Sequence, residues 1–369
     1  MAQDETEEVY EKIRKKFWAP LRLPQMGKDL LKLVIPLEEA RVLAELELLS
    51  PRKKPSEIAK STGLDVSFVT SVLERTSQMG LVAFFKEEGS YAFPPLVPGA
   101  AEFFIMGAAK RGEEGLLSMI AQVYDSVYPV IGHEIGASKS PWARVIPIER
   151  SIDPRSKVIP FERTGNLLSE ANRIFVGNCM CRTLLKRCDN PLETCFFLDS
   201  GADVLSHGFS DSLVDQGLFR QIDKDKALEI LTQCEKKGLV HMTSNSQEER
   251  LFICNCCTCC CGILKGLLEL HNPRAFVKSN FAPSIDKEKC NKCEACIKIC
   301  PMSALYHHLG HEADMSDDEI KVLEERCIGC GLCASHCPQE AITLTRIRED
   351  IPPPGFMDML YEWQEKRVH

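Results

Sequence analysis

Residues 290–301 read CNKCEACIKICP, and residues 327–338 read CIGCGLCASHCP. Both stretches follow the pattern C-x2-C-x2-C-x3-C-P. Three thiolates at this spacing line a tight loop and bind three irons of a [4Fe–4S] cube, and the fourth iron takes a distant cysteine. The proline after each fourth cysteine lacks an N–H and fixes the turn that directs the cysteine sulfur away from its own loop. Two such runs predict a C-terminal region organised around two iron–sulfur clusters.

Residues 281–347 resemble the bacterial two-cluster ferredoxins, in which the fourth cysteine of each run binds the other cluster. One predicted ligand set is therefore Cys290, Cys293, Cys296 and Cys337. The other predicted set is Cys327, Cys330, Cys333 and Cys300. Gly329 and Gly331 are expected to bind the cofactor through the backbone, because glycine lets the chain wrap closely and point N–H groups at sulfide. A zinc module would explain neither the third cysteine of each run nor the proline.

The segment between the two runs contains three histidines, His307, His308 and His311, and then an acidic stretch. Histidines this close to a cluster loop are candidates for proton-coupled or ligating groups. The alternative is a solvated loop, which is the commoner role for such a segment.

Length and charge limit the class of protein. A chain of 369 residues is long enough for roughly two or three domains with apolar cores. The formal net charge of −8 argues against broad binding to nucleic acids or anionic membranes. Residues 281–369 hold 10 Lys and Arg against 16 Asp and Glu, and therefore contribute −6 of the −8. Acidic electron carriers often dock on basic partner surfaces, although acidic surfaces are also common on soluble proteins.

Cysteine usage predicts the compartment. The chain has 19 cysteines, yet residues 1–8 are polar and acidic and show no apolar segment of an export signal. No run of about 18 apolar residues is present, so no membrane-spanning helix is expected. Free thiols in this number indicate a cytoplasmic protein of a reducing, anaerobic cell rather than a secreted disulfide scaffold.

The N-terminal part has the order helix, helix, helix, strand, strand. Helices are predicted over 37–49, 55–64 and 65–79, with Asp65 as the N-cap of the third, and strands over 82–86 and 90–93. This succession resembles a winged helix–turn–helix with residues 65–79 in the recognition position. The third helix offers one arginine against two acids, so the clustered basic surface that DNA binding requires is absent. A structural or protein-docking role is the preferred interpretation.

Ten further cysteines lie in two windows in the middle of the chain. The first window is C-x-C-x6-C-x6-C and contains Cys179, Cys181, Cys188 and Cys195. The second reads CNCCTCCCG and contains Cys254, Cys256, Cys257, Cys259, Cys260 and Cys261. Packing alone does not explain ten cysteines so close together, and metal ligation is predicted for all of them. A lone Cys234 within a predicted helix is instead expected to be a core residue.

The backbone of the second window decides how its thiols are shared. In an extended chain, side chains alternate, and Cys254, Cys256 and Cys260 would face away from Cys257, Cys259 and Cys261. Such a division indicates two centres or one large cluster, and a looped backbone is an equal alternative. Four thiolates of the first window also satisfy a structural zinc site. Arg182 is either a guanidinium beside a cluster, which would offset thiolate charge, or a surface arginine that pairs with Asp189 or Glu193.

Taken together, residues 40–347 resemble a family of anaerobe 4Fe–4S binding proteins. The resemblance rests on a winged-helix-like segment, a C-x-C-R…C…P-x-E-x-C motif, a C-x-C-C-x-C-C-C-G motif and a terminal two-cluster ferredoxin domain. In this chain the two cysteine motifs are Cys179-Met180-Cys181-Arg182, Cys188, Pro191-Leu192-Glu193-Thr194-Cys195 and Cys254 through Gly262. The resemblance implies extra clusters but names no reaction.

The sequence therefore predicts a multidomain α+β protein. The expected parts are a winged-helix-like domain (1–110), a Cys-rich α+β middle domain (111–280), a ferredoxin-like 2[4Fe–4S] domain (281–350), and a proline spacer with an amphipathic helix (351–369). That helix, with Phe356, Met359, Leu360 and Trp363 on one face, either folds back on the chain or docks on a partner.

The predicted function is single-electron transfer through two [4Fe–4S] clusters and one or two further middle-domain clusters, to or from a redox partner protein. The first alternative is a reductase with substrate chemistry at an unusual middle cluster, and the second is an iron–sulfur-sensing winged-helix regulator. The sequence indicates no donor, acceptor or oligomeric state.

Overall fold

The structure, a computed structural model, describes residues 2–17, 25–95, 99–199, 207–309 and 318–368, and the fold is mixed α and β. Its helices are α1 (Ala2–Phe17), α2 (Gln25–Val34), α3 (Leu37–Leu43), α4 (Pro55–Thr62), α5 (Val66–Gln78), α6 (Ala101–Lys110), α7 (Glu114–Ile135), α8 (Thr164–Glu170), α9 (Met180–Leu185), α10 (His207–Asp215), α11 (Lys224–Lys236), α12 (Gly262–Leu268), α13 (Ala295–Ile299), α14 (Leu332–Ser335) and α15 (Phe356–Glu365). Its strands are β1 (Ala83–Phe85), β2 (Ser90–Ala92), β3 (Ala143–Val145), β4 (Arg173–Asn178), β5 (Glu193–Asp199), β6 (Phe219–Ile222), β7 (Val240–Ser244), β8 (Phe252–Cys256), β9 (Phe281–Ile285), β10 (Leu305–His308), β11 (Glu319–Val322) and β12 (Ile342–Arg346).

The chain forms two compact units. The first unit comprises Met1–Glu134, Gly177–Leu185 and Gly201–Gln221. The second unit comprises Ile135–Val176, Lys186–Ser200 and Ile222–His369. The middle of the sequence is thus shared between both units, and each unit is described by itself below.

In the first unit, α3, α4 and α5 enclose an apolar core and precede the hairpin of β1 and β2. The Asp65 carboxylate accepts hydrogen bonds from the N–H groups of Ser67 (2.9 Å) and Phe68 (3.1 Å), so the N-cap prediction is confirmed. The helix predicted over 37–49 is shorter and ends at Leu43. The chain turns there because the Leu49 N–H donates to the Phe93 carbonyl (2.9 Å), which ties this segment to the end of the hairpin.

A sheet forms the centre of the second unit, and its strand order there is β3-β7-β8-β5-β4. Strand β8 lies antiparallel to both neighbours, with Cys254 opposite Met242 of β7 and Ile253 opposite Phe196 of β5. Extended by one residue, the register between β5 and β8 would set Cys195 opposite Cys254. Side chains that face each other across antiparallel strands lie on the same face of a sheet, so this register gathers cysteines on one face.

The C-terminal part of the second unit repeats one pattern twice. Each repeat has a strand, a cysteine loop, a short helix and a second strand, first as β9, α13 and β10 and then as β11, α14 and β12. The outer strands β9 and β12 pair with each other, and the inner strands β10 and β11 pair with each other. This is a ferredoxin-like arrangement, and it brings the two cysteine loops onto one small core.

The last helix folds back onto the second unit. Phe356, Met359 and Trp363 of α15 are buried. The proline segment before the helix is not a free spacer, because the carbonyl groups of Pro353 and Pro354 accept hydrogen bonds from residues 247 and 248 at 2.8 and 2.9 Å.

None of the helices in the described part of the chain combines the length and the apolar character that crossing a bilayer requires.

Candidate metal centres

Two pockets of similar size lie between the cysteine loops of the C-terminal repeats. The first, with about 310 Å³ of empty space, is lined by Cys290, Cys293, Cys296 and Cys337. The second, with about 330 Å³, is lined by Cys300, Cys327, Cys330 and Cys333. Each pocket thus combines three cysteines of one repeat with the fourth cysteine of the other, and the structure brings together the two sets of residues that the sequence predicts.

The two loops share an unusual backbone conformation. Gly329 and Gly331 have φ values of +69° and +85°. The matching positions of the first loop, Lys292 and Glu294, have φ values of +60° and +61° although neither is glycine. A left-handed φ therefore does not by itself demand glycine here. At Gly329 the demand is steric, because a Cβ would overlap the Phe281 carbonyl and the Ser279 hydroxyl.

Backbone N–H groups point at the cysteine sulfurs in both repeats. The N–H of Ala304 donates to Cys300 Sγ and the N–H of Ala341 donates to Cys337 Sγ, each at 3.3 Å. A backbone hydrogen bond from Leu332 also reaches Cys330. Hydrogen bonds to sulfur stabilise thiolate charge and raise the reduction potential of a bound cluster.

Burial makes several cysteines of the two pockets harder to ionise. Burial raises the pKa of Cys296 to about 11 and that of Cys330 to about 12. Burial, followed by the nearby thiols, also raises the pKa of Cys333 well above its usual value. Buried thiolates gathered this closely require a positive centre between them, and iron supplies one. The donor set therefore fits the iron–sulfur clusters that the motif implies.

Comparison with known proteins agrees with this geometry. A family model described as "4Fe-4S dicluster domain" matches residues 282–338. Ferredoxin-3 of Nostoc sp. is 43% identical over 74 residues, which cover 17% of this chain and 76% of that protein. The chain belongs to the 4Fe–4S dicluster ferredoxins. Its dicluster domain carries two [4Fe–4S] clusters.

Other relatives contain the dicluster domain within different proteins. Pyruvate synthase subunit PorD of Methanothermobacter marburgensis is 36% identical over 66 residues, which cover 18% of this chain and 68% of PorD. An archaeal-type glutamate synthase [NADPH] of Dehalococcoides mccartyi is 32% identical over 71 residues, so the chain spans only 13% of that protein. No solved structure gives a significant match.

Outside the dicluster domain, a turn gathers four cysteines of the second unit. The Sγ atoms of Cys188, Cys257, Cys259 and Cys260 all lie within 4.8 Å of one another. Strand β8 ends at Cys256 and the chain turns over residues 258–260, so the extended alternation predicted for residues 254–261 is wrong beyond Cys256. The turn brings Cys257, Cys259 and Cys260 to one side instead of dividing them.

The thiols of this group affect one another. Burial opposes ionisation of Cys188, but hydrogen bonds from Asn190 and contacts with Cys259 and Cys257 outweigh it and lower the pKa to about 7. Burial raises the pKa of Cys260 to about 11 and, with the contact to Cys188, raises that of Cys259. Cys188 is thus more acidic than an ordinary thiol, whereas burial first of all makes Cys259 and Cys260 harder to ionise.

A second group of middle cysteines lies along β8. The thiol of Cys256 contacts those of Cys254 and Cys261, and these contacts, followed by burial, raise the pKa of Cys256. Cys254 and Cys256 are two residues apart on one strand and share a face of the sheet. Extending the register of β5 and β8 by one residue would set Cys195 of β5 on that face, opposite Cys254. Cys254, Cys256 and Cys261 are therefore grouped at one end of the sheet.

Asn255 holds these strands in register from the opposite face. Its Nδ2 donates to the Thr194 carbonyl of β5 at 2.7 Å, and its Oδ1 lies 2.6 Å from Nδ1 of His241 on β7. The other nitrogen of His241 lies 3.3 Å from the Glu235 carboxylate, which also pairs with Arg150. Sequence reasoning missed this buried network, although a polar residue between two cysteines of a strand was a usable signal.

The remaining predicted residues lie elsewhere. Cys179 and Cys181 belong to the first unit, at the start of α9, and their metal ligation stays a prediction. Arg182 is 1% exposed, so the alternative of a surface arginine is wrong, while its role beside a cluster stays a prediction. Cys234 is fully buried in α11, as a core residue should be.

The segment between the cysteine runs contributes an ion network. His307 lies 2.8 Å from the Glu294 carboxylate and 2.7 Å from that of Asp318, which also binds Lys292 at 2.7 Å. Hydrogen bonds to Glu294 and then Asp318 raise the pKa of His307. His307 thus braces the first cysteine loop through its neighbour Glu294. His311 lies outside the described residues.

Proposed function

We propose that the chain transfers single electrons through the two clusters of the dicluster domain, to or from a partner oxidoreductase. The observation that carries this proposal is the pair of similar pockets, each lined by four cysteines drawn from both repeats. One cluster takes Cys290, Cys293, Cys296 and Cys337 as ligands, and the other takes Cys327, Cys330, Cys333 and Cys300. The clusters supply the one-electron chemistry when bound, and the chain positions and tunes them.

The residues around the second loop hold its ligands in place. The Cys330 carbonyl accepts a hydrogen bond from the N–H of Ile148 at 3.0 Å, and the Gly331 carbonyl accepts one from the Ser151 hydroxyl at 3.3 Å. On the other side, Ser279 donates to the Gly329 carbonyl at 2.7 Å. A loop fixed from both sides changes little when its cluster gains an electron, and a small reorganisation favours rapid transfer.

The names of relatives support a protein partner. PorD is named as a subunit of pyruvate synthase, and another relative, from Pelobacter propionicus, is named as subunit I of NADH-quinone oxidoreductase. In this chain the dicluster domain is joined to more than 280 further residues, which are available to recognise such a partner.

We also propose a third redox centre, an iron–sulfur cluster bound by Cys195, Cys254, Cys256 and Cys261. The sheet register and the contacts of Cys256 support this set. Cys256 and Cys261 are buried, so the cluster would be shielded from water on that side. Four thiolates leave no iron with an open position, and this disfavours the alternative of a reductase that binds substrate at a middle cluster.

A reductive titration of oxygen-free protein tests the electron path. The wild-type chain is expected to accept about three electrons, one for each [4Fe–4S] cluster. The double variant Cys254→Ala, Cys256→Ala is expected to accept about two and to keep the dicluster signals in electron paramagnetic resonance. Cys234→Ala is the matched control, because it removes a buried thiol outside every group. Two electrons in the wild-type chain would refute the third centre, and none would refute the electron-transfer proposal.

We propose that residues 1–110 form a winged-helix-like domain that docks on a partner protein. We propose further domains over residues 111–280, 281–350 and 351–369. The order α3, α4, α5, β1 and β2 supports it. The single arginine of α5, Arg75, pairs with Glu39, and Val66 at the start of the helix is exposed. Fluorescence anisotropy of labelled duplex DNA at physiological salt should show no binding. Sequence-specific binding would instead favour the alternative of an iron–sulfur-sensing winged-helix regulator.

A further inference from the structure

The four cysteines at the turn after β8 stand closer together than ligands of a cluster do. Cys188 Sγ lies 3.8 Å from Cys257 Sγ and 4.0 Å from Cys260 Sγ. Cys259 completes the group, and all four sulfurs lie within 4.8 Å of one another. Sulfur atoms at these separations are in van der Waals contact. The space between them admits one metal ion but not the eight atoms of a [4Fe–4S] cube.

The separations match a particular coordination geometry. In a tetrahedral site with metal–sulfur bonds of about 2.3 Å, each pair of sulfurs is about 3.8 Å apart. The Cys188–Cys257 separation equals this edge, and the Cys188–Cys260 separation exceeds it only slightly. Four thiolates with this geometry select zinc or a single iron rather than a hard, oxygen-loving cation.

The surroundings resemble those of a closed structural site. Cys257 and Cys260 are buried, whereas Cys188 and Cys259 are partly exposed. Nδ2 of Asn190 donates to Cys188 Sγ at 3.4 Å, and the backbone of Arg187 donates to Cys260. Hydrogen bonds of this kind orient metal-bound thiolates and offset their negative charge. With four protein ligands, no position is left for water or substrate.

We propose that Cys188, Cys257, Cys259 and Cys260 bind one tetrahedral Zn²⁺ ion. The ion ties the loop at residues 186–190 to the turn at residues 257–260, which are far apart in the sequence. The turn lies between Cys256 and Cys261, so the ion also fixes the directions in which the chain leaves β8 and enters α12. The site is structural, and it exists whether or not the neighbouring thiols bind a redox cluster.

Metal analysis of oxygen-free protein tests the proposal. The wild-type chain should contain about one zinc in addition to its iron. The variant Cys188→Ala, Cys259→Ala removes the two more exposed ligands and should lose the zinc while its iron content and dicluster signals stay unchanged. Cys234→Ala should keep both metals. Loss of about four irons without any loss of zinc would overturn the proposal, because the group would then hold a cluster.

A second measurement does not depend on the folding of a variant. X-ray absorption at the zinc edge of the wild-type protein should show four sulfur neighbours at about 2.3 Å and no metal neighbour. Oxygen or nitrogen neighbours, or the absence of stoichiometric zinc, would overturn the proposal. Neither result would affect the electron count of the dicluster domain, so the failure of this site and the failure of the proposed function are separable.

Discussion

Replacing Gly329 by alanine is expected to release the second cluster of the dicluster domain. Gly329 has a φ of +69°, and alanine in this left-handed region costs about 1 kcal/mol. The new Cβ would also overlap the Phe281 carbonyl and the Ser279 hydroxyl. Moving them apart strains the hydrogen bond from Ser279 to the Gly329 carbonyl, 2.7 Å long, and adds about 1–3 kcal/mol.

The sum is a destabilisation of the loop by about 2–4 kcal/mol. Two glycines provide graded controls. At Gly331, φ is +85° and a Cβ would lie 3.1 Å from the Leu344 Cδ1 atom, which can shift slightly. At Gly63, in the first unit, φ is +71° and nothing lies within 4 Å, so Gly63→Ala places a similar backbone cost of about 1 kcal/mol outside the cluster loops.

The assay is the rate at which visible cluster absorbance disappears when oxygen-free protein is mixed with an iron chelator. If the cluster leaves through local opening of its loop, a difference of about 2 kcal/mol corresponds to about thirty-fold faster loss. Cluster loss is expected to be fastest in Gly329→Ala and slower in Gly331→Ala. Gly63→Ala is expected to lose its clusters at the wild-type rate. Equal rates for Gly329→Ala and Gly331→Ala would refute the steric argument for Gly329.

Three further predictions concern the second unit. Asn255→Ala should lower the free energy of unfolding by about 2–3 kcal/mol and reduce the iron content of the third centre, because it leaves buried partners on β5 and β7 unsatisfied. Unchanged urea unfolding and unchanged iron content would contradict the argument that Asn255 holds the strands in register. Glu162→Gln breaks the buried ion pair with Arg346 and should lower the free energy of unfolding by about 3–5 kcal/mol. A double-mutant cycle with Arg346→Met should show a coupling energy between the two residues, and a coupling near zero would show that the pair does not form. The pKa of His307 is raised in the folded chain, so its stabilising contacts are fully present below the unfolded pKa of about 6.5 and are lost as the pH rises through the higher folded pKa. The imidazole resonances of His307 in NMR should therefore titrate with a midpoint above 6.5. A midpoint at or below 6.5 would contradict the pairing with Glu294 and Asp318.

The sequence was sufficient for the dicluster domain because its ligands are fixed by short spacing and an internal repeat. The crossing of Cys300 and Cys337 is what the resemblance to two-cluster ferredoxins implies, and the two pockets agree with it. The grouping of the middle cysteines was beyond sequence reasoning, since the side on which a cysteine points depends on where β8 ends. One turn at residues 258–260 moves Cys260 from the predicted group of Cys254 to that of Cys188.

Other differences have the same origin in long-range contacts. Residues 37–49 have a helical pattern, but the pairing of Leu49 with Phe93 ends the helix early. The proline segment before α15 has the composition of a spacer, yet its carbonyl groups find donors at residues 247 and 248. Local sequence predicts the preferred conformation of such segments, and tertiary hydrogen bonds decide which of them keep it.

The most direct test of the electron path is the content of iron and acid-labile sulfide per chain, measured on protein purified strictly without oxygen. Two dicluster cubes and a third cluster predict about twelve irons and about twelve sulfides. A content of about eight of each would contradict the path through the middle of the chain and would leave the dicluster domain as its only redox centre.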